Sequence, residues 1–244
     1  MFYHLDDHIY LTFFRKEAII LDLKKDQYSI FSEDRTRQLK SLLAGQINDL
    51  LPQLQNNGIL KNQTFDTPYP FSIDEKAHST GVFTAGWKLP LPTEIPIIPL
   101  AQYRTVFEAW RVLFKVHWLL RLRGFYGLIK YLKKQRKNQI NYTIPPVKDL
   151  QHLVNCLNKA ALFYTKSTKC LEWATALSFL CLKRQWVCNL VIGAQNYPFI
   201  AHAWAEVDQQ IVADSKDFPE NLSIILTEPF RKEIKHDICW HSVA

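Results

Sequence analysis

The sequence has no C-x-x-C pair, and its five cysteines (Cys156, Cys170, Cys181, Cys188 and Cys239) are odd in number and irregularly spaced. These absences argue against a disulfide framework and against a zinc ribbon. No run approaches about eighteen uninterrupted apolar residues, so no transmembrane segment is expected. The opening stretch "MFYHLDDHIYLTFF" has two aspartates where a secretory signal would be basic. There is no G-x-x-x-x-G-K-[ST] phosphate loop and no internal repeat. These features lead us to expect a reduced, cytoplasmic protein.

What the chain does contain is enough apolar material for a real core, 48% of its 244 residues. Its net charge of +7 is unevenly placed: residues 111–137 hold nine Lys or Arg and no Asp or Glu. Such a run either attracts an anionic partner or forms a solvated helix face, and the second is the commoner case.

The first third changes character near Asp34. Before it, "HIYLTFF", "EAIILDL" and "QYSIFS" are short runs rich in β-branched and aromatic residues, separated by the turns "RK" and "KKD". After Asp34, read as an N-cap, leucines recur at helical spacing with interruptions at Gly45 and Pro52 and a stop at Gly58. Three strands and then short helices outline a winged-helix-like domain over residues 1–80. Residues 61–100 hold six of the twelve prolines, which marks a semi-rigid linker at 81–100.

From Tyr103 to Lys137 the pattern is helical and aromatic, with breaks near Gly124 and Gly127. Two more helices are expected, over about 149–164 with Asp149 as cap and about 169–184. "WVCNLVIGA" reads as a buried strand, and "AHAWAEV" and "QQIVADS" as a hairpin. Helices ahead of an antiparallel sheet define an α+β domain over 101–244.

Within that domain, Thr168 as N-cap would put Cys170 in the first turn of a helix, near unpaired backbone N–H groups and the positive dipole end. That position favours the thiolate. The bland reading of a lone cysteine, a small buried hydrophobe, suits Cys156, Cys181 and Cys188. Leu171, Ala174, Leu177 and Cys181 give the helix one apolar face. On the first hairpin strand, His202, Trp204 and Glu206 share a face, and three alanines with Val207 share the other. His202 can reach the cysteine from the sheet. The returning strand brings Asp214 near its level as an orienting carboxylate, ahead of Asp208 in the turn and Asp217 beyond it. The same trio is also a conceivable zinc ligand set, but it lacks close-spaced ligand pairs.

The stretch from Cys170 to Asp214, in particular "LVIGA" and then "YPFIAHAWAEV", resembles the transglutaminase-like leader peptidase of lasso-peptide biosynthesis, the B protein. Residues 1–80 are similar to the precursor-recognition element of peptide-modifying systems, here fused ahead of a transglutaminase-like or papain-like domain. The resemblance implies that Cys170 attacks the scissile carbonyl, His202 moves the proton and Asp214 orients His202. It implies that an added leader strand binds along Tyr28, Ser29, Ile30 and Phe31. It implies no directly bound cofactor or metal, and no nucleic acid. The partners it implies are a precursor leader and an asparagine-synthetase-like, ATP-dependent cyclase that would bring any ATP dependence. One departure stands out: Gln185-Trp186 replaces a glycine found before "LVIG" in many members, so a different turn is expected there. Acyl transfer to an amine on the same residues and a non-catalytic leader-binding scaffold remain open alternatives. A DNA-binding winged helix is disfavoured, because "LDDH" and "FSEDR" lie inside that module.

Overall fold

A computed structural model describes residues 1–83, 99–137, 140–164 and 168–232. Cys239 and most of the expected linker, residues 84–98, lie outside the described residues. The three expected strands are present as β2 (Ile9–Phe14), β3 (Glu17–Asp22) and β4 (Gln27–Phe31), an antiparallel meander. Two helices come next, α1 (Glu33–Leu43) and α2 (Leu51–Asn56), and the first is capped by Ser32 rather than Asp34. A short strand β1 (Phe2–Leu5) pairs with β5 (Leu60–Phe65), and β6 (Glu75–Lys76) adds in parallel to β2.

Strands β2 and β3 have almost no polar positions because both faces of their sheet are covered. Ile9, Leu11, Phe13, Ala18 and Ile20 pack with Leu39, Leu42 and Leu54 of the two helices. Tyr10, Phe14, Ile19 and Leu21 point the other way, into the core of the second half of the chain. Tyr10 donates its hydroxyl proton to buried Glu228 at 2.6 Å, and Ser223 donates to the Phe13 carbonyl at 2.7 Å. The N-terminal sheet is therefore docked face-on against the C-terminal half.

The second half opens with α3 (Tyr103–Gln135), bent at Gly124, whose φ of 64° lies outside the helical region. Gly127 stays within the helix. All nine basic residues of 111–137 are exposed, which is the solvated-face arrangement. Next come α4 (Val147–Leu162), which starts two residues ahead of Asp149, and α5 (Cys170–Lys183). The expectation of one apolar face on α5 is too narrow, since every residue from Trp173 to Leu182 is buried. It is a core helix, held between α3, α4 and a sheet.

That sheet is antiparallel in the order β10-β7-β8-β9, from β7 (Asn189–Gln195), β8 (Ile200–Val207), β9 (Gln210–Val212) and β10 (Ser223–Glu228), with a short helix α6 (Phe218–Asn221) before the last strand. Ala203, Ala205 and Val207 join the core containing α5, and Trp204 packs on the opposite face with Val191, Phe218 and Leu222. Small side chains let the helix lie close to β8. Asp208 and Gln209 turn the β8–β9 hairpin with φ of 48° and 62°, the geometry of a two-residue turn matched to strand twist.

The turn expected to differ at Gln185 closes as a glycine would close it. The Trp186 N–H bonds the Cys181 carbonyl, the Gln185 N–H bonds the Leu182 carbonyl, and Gln185 sits at φ 60°. A side chain in this left-handed conformation costs about 1 kcal/mol relative to glycine. Gln185→Gly is therefore expected to stabilise the protein by about 0.5–1 kcal/mol, read as a higher urea midpoint at unchanged m-value.

Candidate active site

The helix α5 begins at Cys170 itself. Its N-cap is Lys169, not Thr168, whose hydroxyl is buried with no hydrogen-bond partner among the described residues. Glu172 ties down this entry: one carboxylate oxygen accepts from the Lys169 N–H at 3.1 Å, and the other faces His117 Nδ1 at 3.3 Å. A Glu three residues after the cap was a readable signal for this pairing.

β9 pairs only with residues 205–207 of β8, so the outer edge of β8 is open from Ala203 back toward Ile200, and the start of α5 fills that space. The half-buried Cys170 thiol lies within the influence of the His202 ring and of the backbone N–H groups of Ala203 and Leu171. His202 is 2% exposed, with the Phe218 ring 4.3 Å away, centroid to centroid. Its Nε2 meets Asp214 Oδ2 at 2.8 Å, which leaves Nδ1 for the sulfur. Asp214 also accepts the Ser215 N–H at 2.8 Å, which holds the carboxylate in place.

The structure thus brings Cys170, His202 and Asp214 together, by a route that differs from the expected one in detail. The register Ala205↔Val212 puts Asp214 across from Ala203, and Ala213 at φ 55° has already ended the strand. Asp214 reaches His202 from a bend beyond β9. Asp208 stays in the hairpin turn, and Asp217 caps α6 and contacts Ser215. Neither has a hydrogen bond to His202. The peptide-binding stretch lies on β4, an outer strand of its sheet. Ser29 and Ile30 are exposed, Phe31 is buried in the N-terminal core and Tyr28 turns toward the second half.

The electrostatics favour a charged pair. Burial alone would push the Cys170 thiol up, but the His202 hydrogen bond, the Ala203 N–H, the imidazolium charge and the Leu171 N–H together hold it below its ordinary value. For His202, burial pulls down, while the Asp214 and Cys170 hydrogen bonds and charges raise it to about 9. Between those two titrations the pair is thiolate–imidazolium, and the apparent values belong to the pair. Such a thiolate can attack a carbonyl, and the adjacent imidazolium can protonate a leaving amine. Alkylation of Cys170 by iodoacetamide is expected to outpace that of a free thiol at pH 7, with its onset at lower pH than a free thiol's. A pH series read by mass spectrometry, with His202→Ala as control, checks this.

Cys156, Cys181 and Cys188 are buried, and burial raises the Cys156 thiol. Among the described residues no cluster of three or more His, Cys, Asp or Glu side chains could hold a metal ion. No helix there is long and apolar enough to cross a membrane.

An α+β domain with a cysteine at a core-helix start beside a strand histidine has the parts of a cysteine-based enzyme. Residues 110–227, from α3 into β10, match the model of the transglutaminase-like superfamily. Across a longer span, the chain is 25% identical over 229 residues to the microcin J25-processing protein McjB of Escherichia coli, covering 88% of this chain and 96% of that protein. No solved structure matches. The two matches bear out the resemblance to the lasso-peptide B proteins.

Proposed function

We propose that this protein is a cysteine peptidase that cuts the leader from a ribosomally made lasso precursor before ring closure. The observation that carries the reading is the Cys170–His202–Asp214 alignment at the start of α5. Cys170 attacks the scissile carbonyl, and the bond to the departing amine breaks as His202 protonates it. Water, deprotonated by His202, then hydrolyses the thioester and frees the leader carboxylate. Asp214 holds the imidazole orientation and its charge. The Cys170 N–H, in the first turn of α5, serves as one oxyanion donor.

Residues 1–80 act as the leader-recognition element, with the free edge of β4 accepting a leader strand, residues 81–100 as linker and residues 101–244 as the catalytic domain. The freed core amine passes to an ATP-dependent cyclase, the partner through which ATP enters; the chain itself needs no bound cofactor. The protein works in the cytoplasm. The relative's name, which speaks of processing microcin J25, supports a role on a peptide precursor.

The test is precursor incubated with the cyclase and ATP, plus wild-type protein or His202→Ala, with the products weighed. Leader loss with the wild type alone supports the reading, and equal loss with both contradicts it. Transfer of the acyl group to an amine is favoured by one observation, the transglutaminase-like match, and would give a product lighter by one water than the sum of acyl donor acid and amine.

A further inference from the structure

β4 is an outer strand, and along it the side chains alternate: Phe31 enters the N-terminal core, whereas Tyr28 turns toward the catalytic domain. There its ring meets Phe199, with centroids 5.1 Å apart and planes at 59°. Phe199 lies at the tip of the β7–β8 hairpin, three residues ahead of His202, and is 46% exposed. Tyr28 and Cys170 pack on the same core cluster. Burial, and after it the charges of Asp26 and Cys170, holds the Tyr28 phenol above its ordinary value.

The hairpin tip is anchored to the N-terminal half at further points. Asn196 donates to the Glu17 carboxylate at the start of β3, and the Gln195 side chain bonds both the N–H and the carbonyl of Val82 at 2.7 Å. A tip held this firmly nevertheless leaves the Phe199 ring partly open, three residues along the chain from His202. A strand added to the outer edge of β4 would run past Tyr28, whose ring touches Phe199.

We propose that Tyr28 and Phe199, one from each half of the chain, form an aromatic wall that holds the precursor segment next to the scissile bond, so that Tyr28 determines cleavage specificity. The wall suits an apolar or flat side chain of the precursor, which gains ring contact there. Recognition edge and cutting site then form one continuous groove, and docking of the N-terminal sheet completes the active site. This inference rests on the peptidase reading above.

The experiment uses the full-length protein with cyclase, ATP and precursor. It measures kcat/KM for leader release by wild type, Tyr28→Phe, Tyr28→Ala and Phe199→Ala. In parallel, fluorescence anisotropy reads the affinity for a leader peptide lacking the residues around the cut. Losing an aromatic contact next to the reacting bond should lower kcat/KM about tenfold in both alanine variants. Tyr28→Phe, which keeps the ring, should lose less than Tyr28→Ala, and the truncated-leader affinity of Phe199→Ala, which lies outside β4, should stay within about twofold. Should Tyr28→Ala fail to fold, Phe199→Ala, which alters a half-exposed tip, must still show the loss. Unchanged kcat/KM in the folded alanine variants overturns the wall, as does a loss in Phe199→Ala fully matched by weaker leader affinity. A wild-type protein that releases no leader overturns the peptidase reading and this inference with it.

Discussion

Replacing Cys170 with alanine should abolish leader release, by roughly 10⁴-fold or more, while leaving the fold and leader binding intact. In the proposed mechanism the sulfur carries the acyl intermediate, and what survives its loss is positioning alone. The side chain is half-buried and packs at the edge of β8, so a serine-sized or smaller replacement disturbs little else. Turnover of precursor by mass spectrometry, with anisotropy of a labelled leader on the same preparations, separates the two effects.

Asp214→Asn is expected to have the next largest effect, a fall in kcat of about 10²–10⁴-fold, because the amide can hold the imidazole in the wrong tautomer. Its second consequence is a change in pH dependence. His202 is raised to about 9, with the Asp214 hydrogen bond and charge among the causes. In the wild type, activity should rise with pH as Cys170 deprotonates, then fall as pH passes about 9 and the imidazolium loses the proton needed by the leaving amine. Removing the carboxylate charge lowers the His202 pKa, so the alkaline limb should move to lower pH. A pH–rate profile of the residual activity reads this shift directly. An unmoved limb would assign the elevation to Cys170 alone.

The elements legible in the sequence are those whose signal is local. β2, β3 and β4 stand out as β-branched and aromatic runs between short turns, and α5 and the β8–β9 hairpin carry period and turn signals within a few residues. The proximity of helix start, strand histidine and hairpin carboxylate came out of those local signals. Other elements depend on partners far along the chain. β1 finds β5 across about sixty residues, with Phe2 opposite Phe65, and β6 and β10 owe their strands to β2 and β7. The sequences "FYHL", "LKNQTF" and "EK" of β1, β5 and β6 are too short or too polar to declare themselves.

The docking of the two halves shows the same division. The lack of polar alternation in "IYLTFF" and "AIILD" was a sign that both sheet faces are buried, but nothing local says against which partner. The contact of Tyr28 with Phe199 is a product of that docking, and so are the Tyr10–Glu228 and Ser223–Phe13 bonds. Asp214 was readable as a residue and misplaced in detail, because Ala213 adopts a left-handed conformation that no side-chain rule demands. The same holds at Gln185, where helix-end hydrogen bonding overrides the preference for glycine.

The most direct test of the central claim is to run the reaction of precursor, cyclase, ATP and this protein in H₂¹⁸O and weigh the released leader. The account predicts one ¹⁸O in the leader's new C-terminal carboxylate, present with the wild type and absent with Cys170→Ala because no leader is freed. A leader joined to an amine without ¹⁸O, or labelled leader released equally by Cys170→Ala, would contradict it.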